Sequence, residues 1–356
     1  MSAESRFADR RAAVREWMEE ERVDALLVSA EPNVRWLTGF TGEGLLVLDA
    51  EGPLLCTDSR YAVQAGEEAP GLEFVADSGH LDQAIERLGG SLPDRLGFEA
   101  SALPYSGYQR LDEGLDGVEL TPLEDRIKRL RVVKDAEEVA LIRRAASIAD
   151  AAFAELRAGI EPGLSEREAA EELRRLMVLG GAEKPSFDVI FAAGPNGAKP
   201  HARPGERVVA EGDLIVIDWG AVVDGYCSDC TRTVIVGEPD ERRREVWTAV
   251  REAQMAAIEG LRPGMEGREV DAIARALLGE RGYAQYFGHG LGHGVGLEVH
   301  ELPRLSQKSE ETLEAGMVVT VEPGVYIEGW GGVRLEELVL VTDGGAELIT
   351  SAPYDL

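Results

Sequence analysis

AGIEPGLSEREAAEELRRLM, residues 158–177, aligns without a gap on EGLRPGMEGREVDAIARALL, residues 259–278. The copies share a glycine, a Pro-Gly pair, an Arg-Glu pair and a later arginine in register, and self-similarity of this kind marks a duplicated unit. Each copy follows a helical stretch, supplies a Pro-Gly turn and opens a second helix. Further along, EGDLIVID (211–218) parallels EAGMVVTVE (314–322). Both run from a turn through an apolar strand to a carboxylate, Asp218 in one half and Glu322 in the other. A second strand brings Asp229 in the first half and Glu336 in the second. His201-ARP and His300-ELP sit before these strands in their copies. The C-terminal part therefore reads as two similar α/β halves, each giving a pair of acids to a shared centre. Ionised carboxylates on buried strands are costly unless paired or metal-bound, so this placement is hard to explain as scaffold alone.

Upstream of the repeat, residues 1 to about 125 alternate helical and strand patterns. Leu26, Leu27 and Val28 predict a short buried strand, and Gly44–Asp49 and Gly52–Asp58 predict two more with turn residues between them. A charged stretch, Leu123–Asp135, then leads into a long amphipathic helix. Asp135 and Glu138 fit a capping box, and Val139, Ile142, Ala146, Ala149, Phe153 and Leu156 recur at helical spacing. The expected organisation is an N-terminal α/β domain over 1–127 and a C-terminal domain over 128–356. Two domains also suit a chain of 356 residues, too long for one ordinary core.

The bulk numbers narrow the function class. Apolar residues make up 44% and charged residues 29%, the balance of a globular protein. A net charge of -29 repels nucleic acid and anionic membrane. No stretch approaches the roughly 18 apolar residues that span a bilayer. The charged N-terminus does not suit a signal peptide, so a cytoplasmic location is expected. Cys56, Cys227 and Cys230 make an odd count, unsuited to a disulfide framework.

The acids carry the chemistry. Asp218 and Asp229 lie on two apolar runs joined by Asp224-Gly225, a hairpin signal. With a two-residue loop, 218 faces 231 and 229 is its diagonal neighbour on the same face, within about 8 Å. The same parity puts Cys227 and Cys230 on opposite faces, where they cannot chelate together. Of five histidines, four fall at 201, 289, 293 and 300, beside the acid strands. Four carboxylates with imidazole form a hard, oxygen-rich set suited to Mn²⁺, Co²⁺ or Fe²⁺ rather than a sulfur-bound structural zinc. Two metals about 3.5–4 Å apart share a water, lower its pKa and polarise a carbonyl, which implies hydrolysis of an acyl bond.

Residues 185–345 resemble the pita-bread metallopeptidases: methionine aminopeptidase, aminopeptidase P and prolidase. The likeness rests on PHARP (200–204), DWGAVVDGYCSDCTRT (from 218), GHGLGHGVGLEVHELP (from 288), VEPGVY (from 321) and VRLEEL (from 333). NVRWLTGFTG and LLCTDSRYAVQA resemble the extra N-terminal domain of prolidase, aminopeptidase P and creatinase, which methionine aminopeptidase generally lacks. The resemblance implies an Xaa-Pro dipeptidase or aminopeptidase with two divalent ions, Mn²⁺ or Co²⁺ first and Fe²⁺ or Zn²⁺ next. It implies Asp218, Asp229, His293, Glu322 and Glu336 as ligands, Asp229 and Glu336 bridging. It places His201 and His300 near the scissile bond and makes Glu322 the proton acceptor. His289 would line the substrate pocket, with Tyr326 and Arg334 in a supporting network. Arg304, four residues after His300, matches an arginine of some prolidases suited to a dipeptide's free carboxylate; the alternative is a surface arginine paired with Glu301 or Glu310. A homodimer is implied, with the N-terminal domain of one chain bordering the partner's site. Competing readings on this scaffold are a metal-dependent lyase, a metal-free creatinase and a non-catalytic binding relative; the filled ligand positions disfavour the last two.

Overall fold

The computed structural model describes residues 3–77, 79–124 and 126–354. The chain divides into two compact units, residues 1–131 and 132–356.

The first unit is built on a six-stranded sheet. Across it run Glu73–Ala76, Gly52–Thr57, Gly44–Asp49, Ala25–Val28, Arg95–Glu99 and Glu119–Leu123. Ala25–Val28 is apolar and buried throughout, as suits a strand covered on both faces. It pairs parallel with Arg95–Glu99 and antiparallel with Gly44–Asp49. Gly44–Asp49 and Gly52–Thr57 form the expected strands and pair antiparallel as a hairpin, Gly44 opposite Thr57. Asp58 ends this hairpin by capping a short 3-10 turn rather than continuing the strand.

The second unit opens with the helix Ala136–Arg157. Asp135 caps it, accepting hydrogen bonds from the Glu137 and Glu138 backbone amides, and Glu138 returns a bond to complete the box. Val139 recurs in the predicted stripe but only half-buries. The duplicated segments then show the same local structure twice. Pro162-Gly163 and Pro263-Gly264 make turns in which both glycines hold positive φ, 106° and 90°, a region other residues avoid. The helices Glu166–Leu179 and Gly267–Glu280 follow, each opened by a capping box: Ser165 with Glu168, Glu266 with Glu269. Each half packs its own core. Phe153, Leu173, Phe191, Ile217 and Trp219 anchor one, and Val250, Leu278, Leu291, Val319 and Val339 the other.

The strands follow the helices. In the first half Ile190–Ala193, Leu214–Trp219 and Cys230–Ile235 form an antiparallel sheet. In the second, Glu301–Leu305, Gly292–Gly294, Val318–Val321, Glu337–Thr342 and Gly345–Leu348 form another, and Gly324–Ile327 pairs with Gly331–Arg334 as a separate hairpin. The halves meet along a seam. The Glu336 amide donates to the Thr231 carbonyl at 3.0 Å, and the Thr233 hydroxyl bonds both the amide and the carbonyl of Arg334.

Candidate metal centre

Asp224 and Gly225 have φ of 46° and 75°, the two left-handed residues of a type I′ hairpin. That turn sets the register in which Asp218 faces Thr231. Asp229 then stands opposite Gly220, where the ladder breaks between Tyr226–Cys227 and Cys230–Ile235. Gly220 is required there, since a Cβ would lie 2.0 Å from the Ser228 carbonyl oxygen. Cys227 and Cys230 go to different surroundings: one packs with Ile142 and Val295, the other with Phe153 and Trp219.

On the other side of the seam, His293 sits between two glycines. A Cβ on Gly292 would meet the Thr320 carbonyl at 2.0 Å, and one on Gly294 would meet the Leu302 carbonyl at the same distance. The chain around His293 is thus pressed between two strands as only glycine permits. The Thr320 hydroxyl receives the His293 amide at 3.1 Å and bonds Glu322 Oε1 at 3.1 Å, tying the two residues together.

Asp218, Asp229, His293, Glu322 and Glu336 all line one cavity of about 500 Å³, together with His201, His289, His300, Arg304 and Arg334. Ligand atoms of Asp229, His293 and Glu336 lie within 4.8 Å of one another. His293 Nε2 is 3.6 Å from Asp229 Oδ2 and 3.2 Å from Glu322 Oε1. Asp218 stands slightly apart: its Oδ2 is bound by the Arg334 guanidinium, while its Oδ1 is buried with no hydrogen-bond partner among the described residues. The same holds for Glu336 Oε1. Two such buried oxygens in an acidic pocket are costly unless a cation satisfies them.

The protonation pattern fits the same occupant. Burial, then the charge of Glu336 and of Asp218, pushes the Asp229 carboxyl well above its ordinary range. Burial and the charges of Glu322 and Asp218 do the same to Glu336. Burial also raises Glu322, but its hydrogen bond and charge pairing with His293 outweigh that and hold it at about 2. His293 Nδ1 lies 3.1 Å from the Gly294 carbonyl. In the metal-free site Nε2 carries the proton that pairs with Glu322; a cation would take that proton's place, leaving the Nδ1 proton on the Gly294 carbonyl and turning the Nε2 lone pair to the ion, the orientation of a metal-bound imidazole. The donor set, the orphaned oxygens and this tautomer together fit divalent cations.

The remaining residues form the walls. Arg334 donates to the Tyr326 hydroxyl at 3.0 Å, and that hydroxyl lies 3.0 Å from His289 Nε2. His289 Nδ1 lies 2.7 Å from the Gly290 carbonyl, so a neutral ring with its proton on Nδ1 satisfies every partner. Burial lowers the His289 pKa in keeping with that neutral form. Tyr326 supports the wall from behind and is not among the lining residues. The His300 ring packs 4.3 Å from that of His293. Partial burial, then the charges of His293 and Arg304, lowers His300 to about 4. The suggested partners of Arg304 are both engaged elsewhere. Glu301 pairs with Lys134 at 3.1 Å and Glu310 with Arg268 at 3.5 Å. Among the described residues, the Arg304 guanidinium has no ion pair and faces the cavity.

Two participants went unread in the sequence. The Thr231 hydroxyl donates to Glu336 Oε2 at 2.6 Å and receives Arg334 Nε at 3.1 Å. Thr320 does the equivalent for Glu322. Each threonine lies two residues from an acid at the end of its strand, Asp229 before Cys230–Ile235 and Glu322 after Val318–Val321, and that period-2 spacing is a readable signal.

Residues 140–343 match the model of metallopeptidase family M24, and residues 10–133 match the creatinase/prolidase N-terminal domain. The chain belongs to metallopeptidase family M24. Its second unit is accordingly a pita-bread domain and its first a creatinase-type α/β domain. This M24 peptidase is 40% identical to the Xaa-Pro dipeptidase from Bacillus anthracis, whose structure it matches with a TM-score of 0.95 over 98% of this chain and 99% of the other. It is 36% identical to the X-Pro aminopeptidase from Thermotoga maritima, with a TM-score of 0.88 over 95% and 100%. It is 38% identical to the Xaa-Pro dipeptidase of Pyrococcus horikoshii over 96% of each chain.

Proposed function

We propose that this M24 peptidase removes the N-terminal residue from Xaa-Pro peptides, with Xaa-Pro dipeptides as its preferred class. The observation that carries the preference is the free Arg304 guanidinium on the wall of the acid-lined cavity. Guanidinium binds a carboxylate through two parallel hydrogen bonds, and a dipeptide places its terminal carboxylate one residue beyond the scissile bond.

Asp218, Asp229, His293, Glu322 and Glu336 would hold two cations, Mn²⁺ or Co²⁺ in preference to Fe²⁺ or Zn²⁺, with Asp229 and Glu336 serving both. When bound, the pair lowers the pKa of a shared water and polarises the scissile carbonyl. Glu322, ionised at neutral pH, takes the proton from the attacking water. His300 is neutral at pH 7, so its N–H donates to the oxygen that gains charge, and His201, which lines the same cavity, assists. Arg334 and Tyr326 fix the His289 ring as a rigid wall for the substrate.

A homodimer and a cytoplasmic location complete the proposal. The first follows from the likeness to prolidases. The second agrees with the acidic composition and with the absence, among the described residues, of a helix long and apolar enough to cross a membrane. The test is a comparison of Mn²⁺- or Co²⁺-loaded protein on Xaa-Pro dipeptides, Xaa-Pro tripeptides and Met-Ala peptides. Highest kcat/KM on the dipeptides is expected. Failure of metal-loaded protein to cleave any Xaa-Pro peptide would overturn the assignment.

A further inference from the structure

Along the segment Thr350–Tyr354, Thr350 and Ala352 are buried and Tyr354 is half-buried, while Ser351 and Pro353 are exposed. Ala352 is buried in the core of the first half, although the strand preceding it belongs to the second. Its carbonyl receives both Nε and one terminal nitrogen of Arg232, at 3.1 and 2.7 Å. The Tyr354 ring lies 3.9 Å from the same guanidinium, and Arg251 lies 3.6 Å from that ring. Ser351 is anchored by Asp150, which accepts its amide at 2.6 Å and its hydroxyl at 2.9 Å.

Arg232 is 1% exposed and pairs with the equally buried Glu337 at 2.9 Å. Its remaining nitrogen donates to two carbonyls, that of Thr231 at 3.1 Å and that of Glu336. Those carbonyls belong to the seam between the halves: one residue supplies a metal-facing carboxylate, the other the hydroxyl that fixes it. Glu337 in turn accepts from the hydroxyls of Thr350 and Tyr354. A buried cation with its anion, two seam carbonyls and an aromatic cover is costly to assemble and needs every partner.

We propose that Thr350–Tyr354, acting through Arg232 and Glu337, positions Glu336 and Thr231, so that the divalent-cation affinity of the centre depends on side chains that never touch the cation. The proposal rests on the metal-centre assignment above. Arg232 and Tyr354 are positioning residues. Removing an outer partner of a metal ligand costs on the order of 10–100-fold in affinity. Tyr354→Phe keeps the ring over Arg232 and loses the hydroxyl bonds; Tyr354→Leu loses both.

The experiment is calorimetric titration of metal-free full-length protein with Mn²⁺, alongside thermal unfolding without metal. Tyr354→Leu should weaken Mn²⁺ binding about 10-fold or more, and Tyr354→Phe less. Activity should recover at saturating Mn²⁺. A lowered Tm with unchanged Mn²⁺ affinity in Tyr354→Leu overturns the proposal, because that marks a purely structural role. Should that variant not fold, Tyr354→Phe carries the same decision: wild-type Mn²⁺ affinity with a lowered Tm overturns the proposal, and weakened affinity supports it. Wild-type protein that binds no Mn²⁺ contradicts the metal centre itself, a distinct failure.

Discussion

Asp229 and Glu336 show the cost of gathering acids without a cation. Burial comes first and neighbouring charges second, and both raise these carboxyls in the folded chain. In the unfolded chain they titrate near 4, the ordinary range of about 3.9 to 4.3. The stability tied to them is therefore fully present below about pH 4 and is lost as pH rises through the raised folded values. Metal-free Glu336→Gln should accordingly unfold at a higher temperature than metal-free wild type at pH 7.5, with the gap closing near pH 4. A gap that is absent, or that widens toward acid pH, contradicts the arrangement; thermal unfolding at several pH values reads it directly. At Arg304 the issue is specificity. Arg304→Ala should raise KM for Xaa-Pro dipeptides about tenfold or more, the scale of a charged hydrogen bond at about 1.5–3 kcal/mol. Xaa-Pro tripeptides should be nearly unaffected. Equal effects on both would remove the carboxylate-reading role and favour an aminopeptidase P-like preference.

The strands and turns were the most legible level. The hairpin at Asp224-Gly225 could be read because its turn type demands particular residues, and from it came the pairing of Asp218 with Thr231. The duplicated helices could be read because their caps and Pro-Gly turns repeat in register. What could not be read lies across the chain. Arg334 meets Asp218 over a separation of 116 residues, and Arg232 meets Ala352 over 120. Neither contact leaves a local pattern, because it depends on how two finished halves dock. Thr231 and Thr320 fell between these cases, on readable strands but with roles set by distant partners: Glu336 and Arg334 of the other half for Thr231, and His293 of its own half for Thr320. The glycines around His293 belong to this level too. A methyl group on Gly292 would collide with the Thr320 carbonyl, pushing His293 away from Glu322. Gly292→Ala should lower both the Tm and the number of metals retained per chain, measured by thermal unfolding and elemental analysis. Unchanged metal content in a well-folded variant would show that the close approach does not position the histidine.

At the scale of the whole molecule, two similar halves each deliver acids to one seam, and a separate N-terminal unit precedes them. All lining residues of the cavity fall within 187–336, so the chemistry belongs to the second unit. Under the proposed homodimer, the first unit would serve in assembly. Sedimentation at micromolar concentration should give a dimer; a fully active monomer would refute it. The most direct test of the metal-dependent reading is a titration of activity. Exhaustively chelated protein should hydrolyse no Xaa-Pro dipeptide, and stepwise Mn²⁺ or Co²⁺ should restore activity to a plateau at two equivalents per chain. Full activity surviving complete removal of metal would contradict it.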